Sequence, residues 1–103
     1  MAFYTIHPRE ISDILFQKRA VVIDVRERED YREYHYRGAV NCPYEEIDRW
    51  LYRFPRGKAL ILYCEYGSTS LLAARKLSQA GYEVYTVVGG IQAMKPYLER
   101  KGR

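Results

Sequence analysis

Ala59-Leu60-Ile61-Leu62-Tyr63-Cys64-Glu65-Tyr66-Gly67-Ser68-Thr69-Ser70 is the stretch on which the reading of this chain turns. Its apolar first half reads as a strand, and the strand stops at Cys64. A short loop rich in small and hydroxyl residues then leads into an amphipathic helix beginning near Ser70, with Leu71, Leu72, Ala74, Leu77 and Ala80 at helical spacing. The spacing therefore predicts a thiol at a strand-to-helix junction. Backbone N–H groups of such a turn and of the first helical turn lack intrahelical acceptors, so together with the helix dipole they favour an anion. A thiolate, or a sulfur anion attached to it, suits that nest.

Outward from this junction, strand and helix signals alternate. Tyr4-Thr5-Ile6 reads as a short strand, and Pro8 opens a helix carrying Ile11, Ile14 and Leu15. Ala20-Val21-Val22-Ile23-Asp24-Val25 is almost continuously apolar, as a strand covered on both faces requires. Glu27 to Glu33 suggests a short helix, broken around His35 to Gly38 before a strand from Ala39 to Cys42 that Pro43 ends. Ile47, Trp50, Leu51 and Phe54 mark one face of a further helix, stopped at Pro55-Arg56-Gly57. Beyond the cysteine loop, Gly81 suits a left-handed helix end, Glu83 to Val88 is a strand, and Gly89-Gly90 turns into a last helix. Pro96 is expected to kink that helix or to restrict helix to either side of it. The alternation predicts an α/β class, with a small, mainly parallel sheet flanked by helices on both faces.

With 103 residues, residues 1–103 are expected to form a single domain. Seventeen basic residues stand against 13 acidic ones, interleaved as in Arg26-Glu27-Arg28-Glu29-Asp30-Tyr31-Arg32-Glu33. Interleaving of this kind marks a solvated helical face, and only the end from Glu99 to Arg103 is locally basic, so nucleic-acid binding is not expected. No apolar stretch is long enough to span a bilayer, and the start lacks the pattern of a secretory leader. A cytoplasmic location, a monomer and no membrane contact are the resulting expectations. Cys42 and Cys64 are too few for a disulfide scaffold, and neither CxxC nor HExxH occurs, so reduced thiols and no metal are expected. The eleven tyrosines are scattered as packing residues rather than gathered as a stacking platform.

In four landmarks the chain resembles the rhodanese-like (sulfurtransferase) domain, over almost its whole length. Ile23-Asp24-Val25-Arg26-Glu27 is similar to that family's Asp-Val-Arg strand end. Tyr31 to Pro43 resembles its segment aromatic-x-x-Gly-His-Ile-x-Gly-Ala-x-Asn-Ile-Pro, with Tyr34, Tyr36 and Cys42 as departures. Tyr63 to Ser70 with Ala73-Ala74 and Leu77, and Gly81-Tyr82 with Val84-Tyr85 and Gly89-Gly90-Ile91, supply the other two. The resemblance implies a nucleophilic Cys64 that takes sulfane sulfur, becomes a persulfide and passes the outer sulfur to a thiophilic acceptor, with no cofactor. It implies a small sulfur-containing anion or a persulfide as donor and a thiol or a protein as acceptor. Glu65, Tyr66, Gly67, Ser68 and Thr69, with Arg26 at the neighbouring strand end, become the candidate substrate-binding residues.

The loop also departs from the family. Many active members carry Cys-x-x-Gly-x-Arg-Ser, whereas Thr69 stands at the arginine position here and the acidic Glu65 follows the cysteine. Loss of a guanidinium weakens capture of a dianion such as thiosulfate. Arg26 either compensates, at the strand edge where ligands of open α/β sheets collect, or is tied up in an ion pair. A phosphatase loop, Cys-x5-Arg, would need arginine at position 70, which is Ser70. Besides the sulfurtransferase, a catalytically weak rhodanese-like module that binds a partner protein is kept as the alternative. Cys42, His35 and Asp24 are read as a core thiol, a turn brace and a loop brace, and Trp50 as a core residue.

Overall fold

The structure, a computed structural model, describes residues 2–101. The basic carboxyl end noted above lies outside the residues whose side chains it describes. Five strands, β1 (Tyr4–Ile6), β2 (Val21–Asp24), β3 (Val40–Asn41), β4 (Ala59–Tyr63) and β5 (Glu83–Val87), form one sheet in the order β1-β5-β4-β2-β3. Every pairing is parallel. Five α-helices connect or follow them: α1 (Ile11–Lys18), α2 (Arg28–Glu33), α3 (Ile47–Trp50), α4 (Ser68–Gln79) and α5 (Gly90–Lys101).

Central β4 explains why the sheet is covered twice. Successive side chains of a strand point to opposite faces, and all five residues of β4 are buried. Leu60, Leu62 and then Cys64 pack with Ile47 and Trp50 of α3 and Ala73, Ala74 and Leu77 of α4. Ile61 and Tyr63 face the other way, among Ile11 of α1 and Ile91 and Met94 of α5. Each fully buried aliphatic side chain here contributes roughly 1.5–3 kcal/mol by leaving water. Trp50, in the first layer, also donates from its indole Nε1 to the carbonyl of Pro43 at 2.9 Å, fixing the turn after β3.

Several boundaries differ from the sequence expectation, each for a local reason. Helix α4 begins at Ser68, earlier than Ser70, because Gly67 at φ +117° closes the loop in a conformation that other residues rarely adopt. Strand β3 is only Val40–Asn41, since the Ala39 N–H turns back to Tyr36 O at 2.9 Å and Pro43 has no N–H to pair. The helix expected through Phe54 splits into a 3-10 turn, Tyr44–Glu46, and a short α3 that stops at Trp50. Helix α5 continues past Pro96, so of the two expectations, a kink or a restriction of the helix, the restriction does not hold. Pro96 itself is exposed.

Candidate active site

Because all strands run in one direction, the ends of β2, β3 and β4 open on the same edge of the sheet. Cys64 follows β4 directly, and Arg26 stands two residues beyond β2. Cys64 is buried, 4% exposed. Its Sγ accepts from the backbone N–H of Gly67 at 3.1 Å and of Ser70 at 3.2 Å, and lies 3.5 Å from the Ser70 hydroxyl. Ser70 is fully buried, and its Oγ in turn receives the Thr86 hydroxyl at 2.8 Å and contacts Gly67 O at 3.2 Å.

The amides point at the sulfur because the loop's carbonyls are occupied elsewhere. At the start of α5, the Ile91 N–H donates to Cys64 O at 2.8 Å and the Gln92 N–H donates to Glu65 O at 3.2 Å. Two helix N-termini thus share one loop: α4 supplies donors to the sulfur, and α5 holds the opposite side of the chain. That close approach requires glycine at 90, where an added Cβ would sit 2.5 Å from both Cys64 O and Glu65 O. The strand-to-helix cradle has the form suited to a thiolate or a singly attached sulfur anion.

Cys64, Glu65, Thr69 and Arg26 come together on one cleft of about 400 Å³, completed by Val25, Glu27, Asp30, Pro43, Tyr44 and Glu45. Tyr66 and Ser68 do not face it. They lie on the other side of the loop, with Gly67, on a separate apolar groove of about 290 Å³ walled by Leu71, Val87 and Val88. Arg26 is held firmly: its Nε and NH2 meet the buried Asp24 carboxylate, NH2 also reaches Tyr34 O, and NH1 donates to Glu65 Oε1 at 3.1 Å. Burial works against its charge, but the hydrogen bonds and charge of Asp24 and the bond to Glu65 outweigh this and push its pKa up. Glu65 is also bonded by the Gln92 side-chain amide, and this bond, followed by Arg26, holds its carboxyl below the usual glutamate range.

Asp24 braces the loop through the Arg26 N–H at 2.8 Å, and His35 braces its turn, Nδ1 lying 2.7 Å from Tyr31 O while its ring stacks on Tyr31. Cys42 is a buried core thiol, unpaired like Cys64. Sequence reasoning noticed the hydroxyl of Ser70 but missed Thr86, Gln92 and the acids Glu27, Asp30 and Glu45. A lone threonine among the apolar residues Val84 to Val87 was the one local signal for Thr86; Glu27 and Asp30 follow Arg26 closely in the chain, whereas Glu45 reaches the cleft by a crossing that no local pattern carries.

Residues 7–96 match the family described as the rhodanese-like domain. The chain is 33% identical over 81 residues to a tRNA sulfurtransferase of Desulfurococcus amylolyticus, covering 79% of this chain but only 16% of that protein. It is 31% identical over 85 residues to the thiosulfate sulfurtransferase GlpE of Coxiella burnetii, covering 81% of this chain and 79% of that one. Among solved structures, reduced CoADR-RHD of Bacillus anthracis superposes with a TM-score of 0.85 at 30% identity, over 95% of this chain and 17% of that one. A rhodanese-related protein of Thermoplasma volcanium gives 0.83 at 25% identity, over 92% and 93%.

Proposed function

This chain belongs to the rhodanese-like domain family, and on that premise we propose that it is a sulfurtransferase whose Cys64 carries sulfur as a persulfide. The observation that supports this most is the Cys64 cradle, with Sγ accepting two backbone N–H groups and lying beside a buried hydroxyl. The thiolate attacks the outer sulfur of a sulfane donor, the donor's S–S bond breaks, and its electron pair leaves on the inner sulfur. With a persulfide donor R–S–SH, the products are Cys64–S–SH and R–S⁻. In the second half, an acceptor thiolate attacks the outer sulfur and Cys64 departs as the thiolate, again stabilised by the amides of Gly67 and Ser70. Residues 1–103 act in this reading as one domain and as a monomer in the cytoplasm, without a metal or an organic cofactor.

The test is intact-mass analysis after incubation with thiosulfate, a polysulfide or glutathione persulfide. Gain of one sulfur atom on Cys64, removed again by a thiol, is the expected result. No gain with any donor would overturn the reading. It would then favour the alternative of a rhodanese-like module that binds a partner protein, for which the acid-lined cleft is the supporting observation.

A further inference from the structure

We propose, resting on sulfur transfer at Cys64, that Glu65 is a specificity-determining residue: it disarms the cleft's guanidinium and directs the site toward sulfane donors with a cationic carrier and away from small dianions. Arg26 is the one basic residue lining the cleft among those described, against the carboxylates of Glu27, Asp30, Glu45 and Glu65. A guanidinium grips a dianion through two parallel N–H bonds along one edge of its fork. The Nε–NH2 edge of Arg26 already faces Asp24, and NH1 donates to Glu65 Oε1 at 3.1 Å. Its side chain is only 8% exposed. Glu65 cannot swing aside freely, because Gln92 of α5 holds its other oxygen. The nearby ammonium of Lys76 lies over the Tyr44 ring at 5.3 Å and does not line the cleft.

A thiosulfate dianion approaching Cys64 therefore meets three further carboxylates and no free fork. A persulfide whose carrier bears an ammonium or guanidinium meets the opposite field, with Glu27, Asp30 and Glu45 exposed at the rim to receive it. The cation could reside on a small aminothiol or on a protein segment with lysine or arginine beside its persulfide cysteine. The recognising chemistry is the same in both.

Rates of sulfur gain on Cys64 are measured by intact mass with thiosulfate, glutathione persulfide, cysteamine persulfide, and two pentapeptide persulfides, one with lysines and one with glutamates flanking the cysteine. We expect the lysine peptide to load the intact protein about tenfold faster than the glutamate peptide at low salt, the ratio falling toward one in 1 M salt, where the Debye length is about 3 Å. Glu65→Gln should reduce that ratio and raise thiosulfate loading about tenfold by removing the carboxylate charge that offsets Arg26. A preference for cysteamine over glutathione persulfide identifies a small aminothiol as sufficient; a preference confined to the peptides identifies a protein segment. Equal loading by the two peptides at low salt, or a ratio unmoved by Glu65→Gln, overturns the proposal while leaving Cys64 chemistry intact. Should Glu65→Gln fail to fold, Glu65→Ala is read in its place, and a ratio that it leaves unmoved likewise overturns the proposal. No loading from any donor removes the persulfide reading and this one together.

Discussion

Two cysteines end two parallel strands on the same edge of this sheet, and they differ in almost nothing except what their neighbours' amides do. Cys42 follows β3 and is 3% exposed; Cys64 follows β4 and is 4% exposed; both belong to the same core cluster. After Cys42 comes Pro43, which has no N–H, and then Tyr44, whose N–H is bonded to Val25 O at 3.0 Å. Among the described residues no backbone N–H reaches the Cys42 sulfur, and burial pushes its pKa up. After Cys64, the chain doubles back through Gly67 so that two amides converge on Sγ. Equal burial thus accompanies opposite surroundings, and the direction of the following peptide planes separates a thiol that no amide reaches from one that accepts two.

The largest effect should come from exchanging the thiols for hydroxyls. Cys64→Ser is expected to abolish sulfur gain from every donor, whereas Cys42→Ser should retain it within about twofold, a change smaller than 1 kcal/mol in barrier; intact mass and a sulfur-transfer assay decide. Loading of the Cys64→Ser protein on Cys42 would break the comparison outright. Next is Gly90→Ala, at φ +62° with a Cβ 2.5 Å from two carbonyl oxygens. The loop must then shift, with an expected loss of about 1–3 kcal/mol in urea unfolding and at least about tenfold slower loading, whereas an unaltered loading rate would deny that α5 shapes the cradle.

How much of this was legible beforehand follows from the range of each interaction. The β4 run, the Cys64 junction and the two-sided core are written in consecutive residues, because strand period and helix spacing are local properties. Bonds joining positions far apart in the chain are not, so the Arg26–Glu65–Gln92 chain and the Gly90 clamp came only from the structure. Gly89-Gly90 was visible as a turn, but what it lies against was not. Pro96 gives no local sign that the helix continues past it, because whether a helix absorbs the missing N–H depends on its surroundings.

A smaller effect should follow Thr86→Val, which keeps shape but removes the hydroxyl donated to Ser70 Oγ. Loss of that polarising bond should slow Cys64 alkylation at neutral pH several-fold, and Thr86→Ser should restore it; each hydrogen bond is worth about 0.5–1.5 kcal/mol. An equal loss in both variants would mean that Thr86 acts by packing alone.

The smallest effects are those of pH on stability, and the two groups have opposite signs. Glu65, with its pKa lowered by Gln92 and Arg26, adds stability that is present above the ordinary glutamate range and is lost as pH falls toward its lowered value. Cys42, raised by burial, adds stability that is present below the ordinary thiol range and is lost as pH rises toward its higher folded value. Urea midpoints across both ranges, compared with Glu65→Gln at the acid end and Cys42→Ala at the alkaline end, should show each slope reduced in its variant; a slope unchanged by the matching substitution would assign it to other groups.

The bonds from Ile91 and Gln92 to the carbonyls of Cys64 and Glu65 couple the opening of that loop to the start of the last helix. Their amide protons exchange with solvent only when the loop lets go, so these two protons keep time for the Cys64 loop. A deuterium label at the start of α5 therefore registers how often the cradle around Cys64 comes apart, without any probe touching the sulfur.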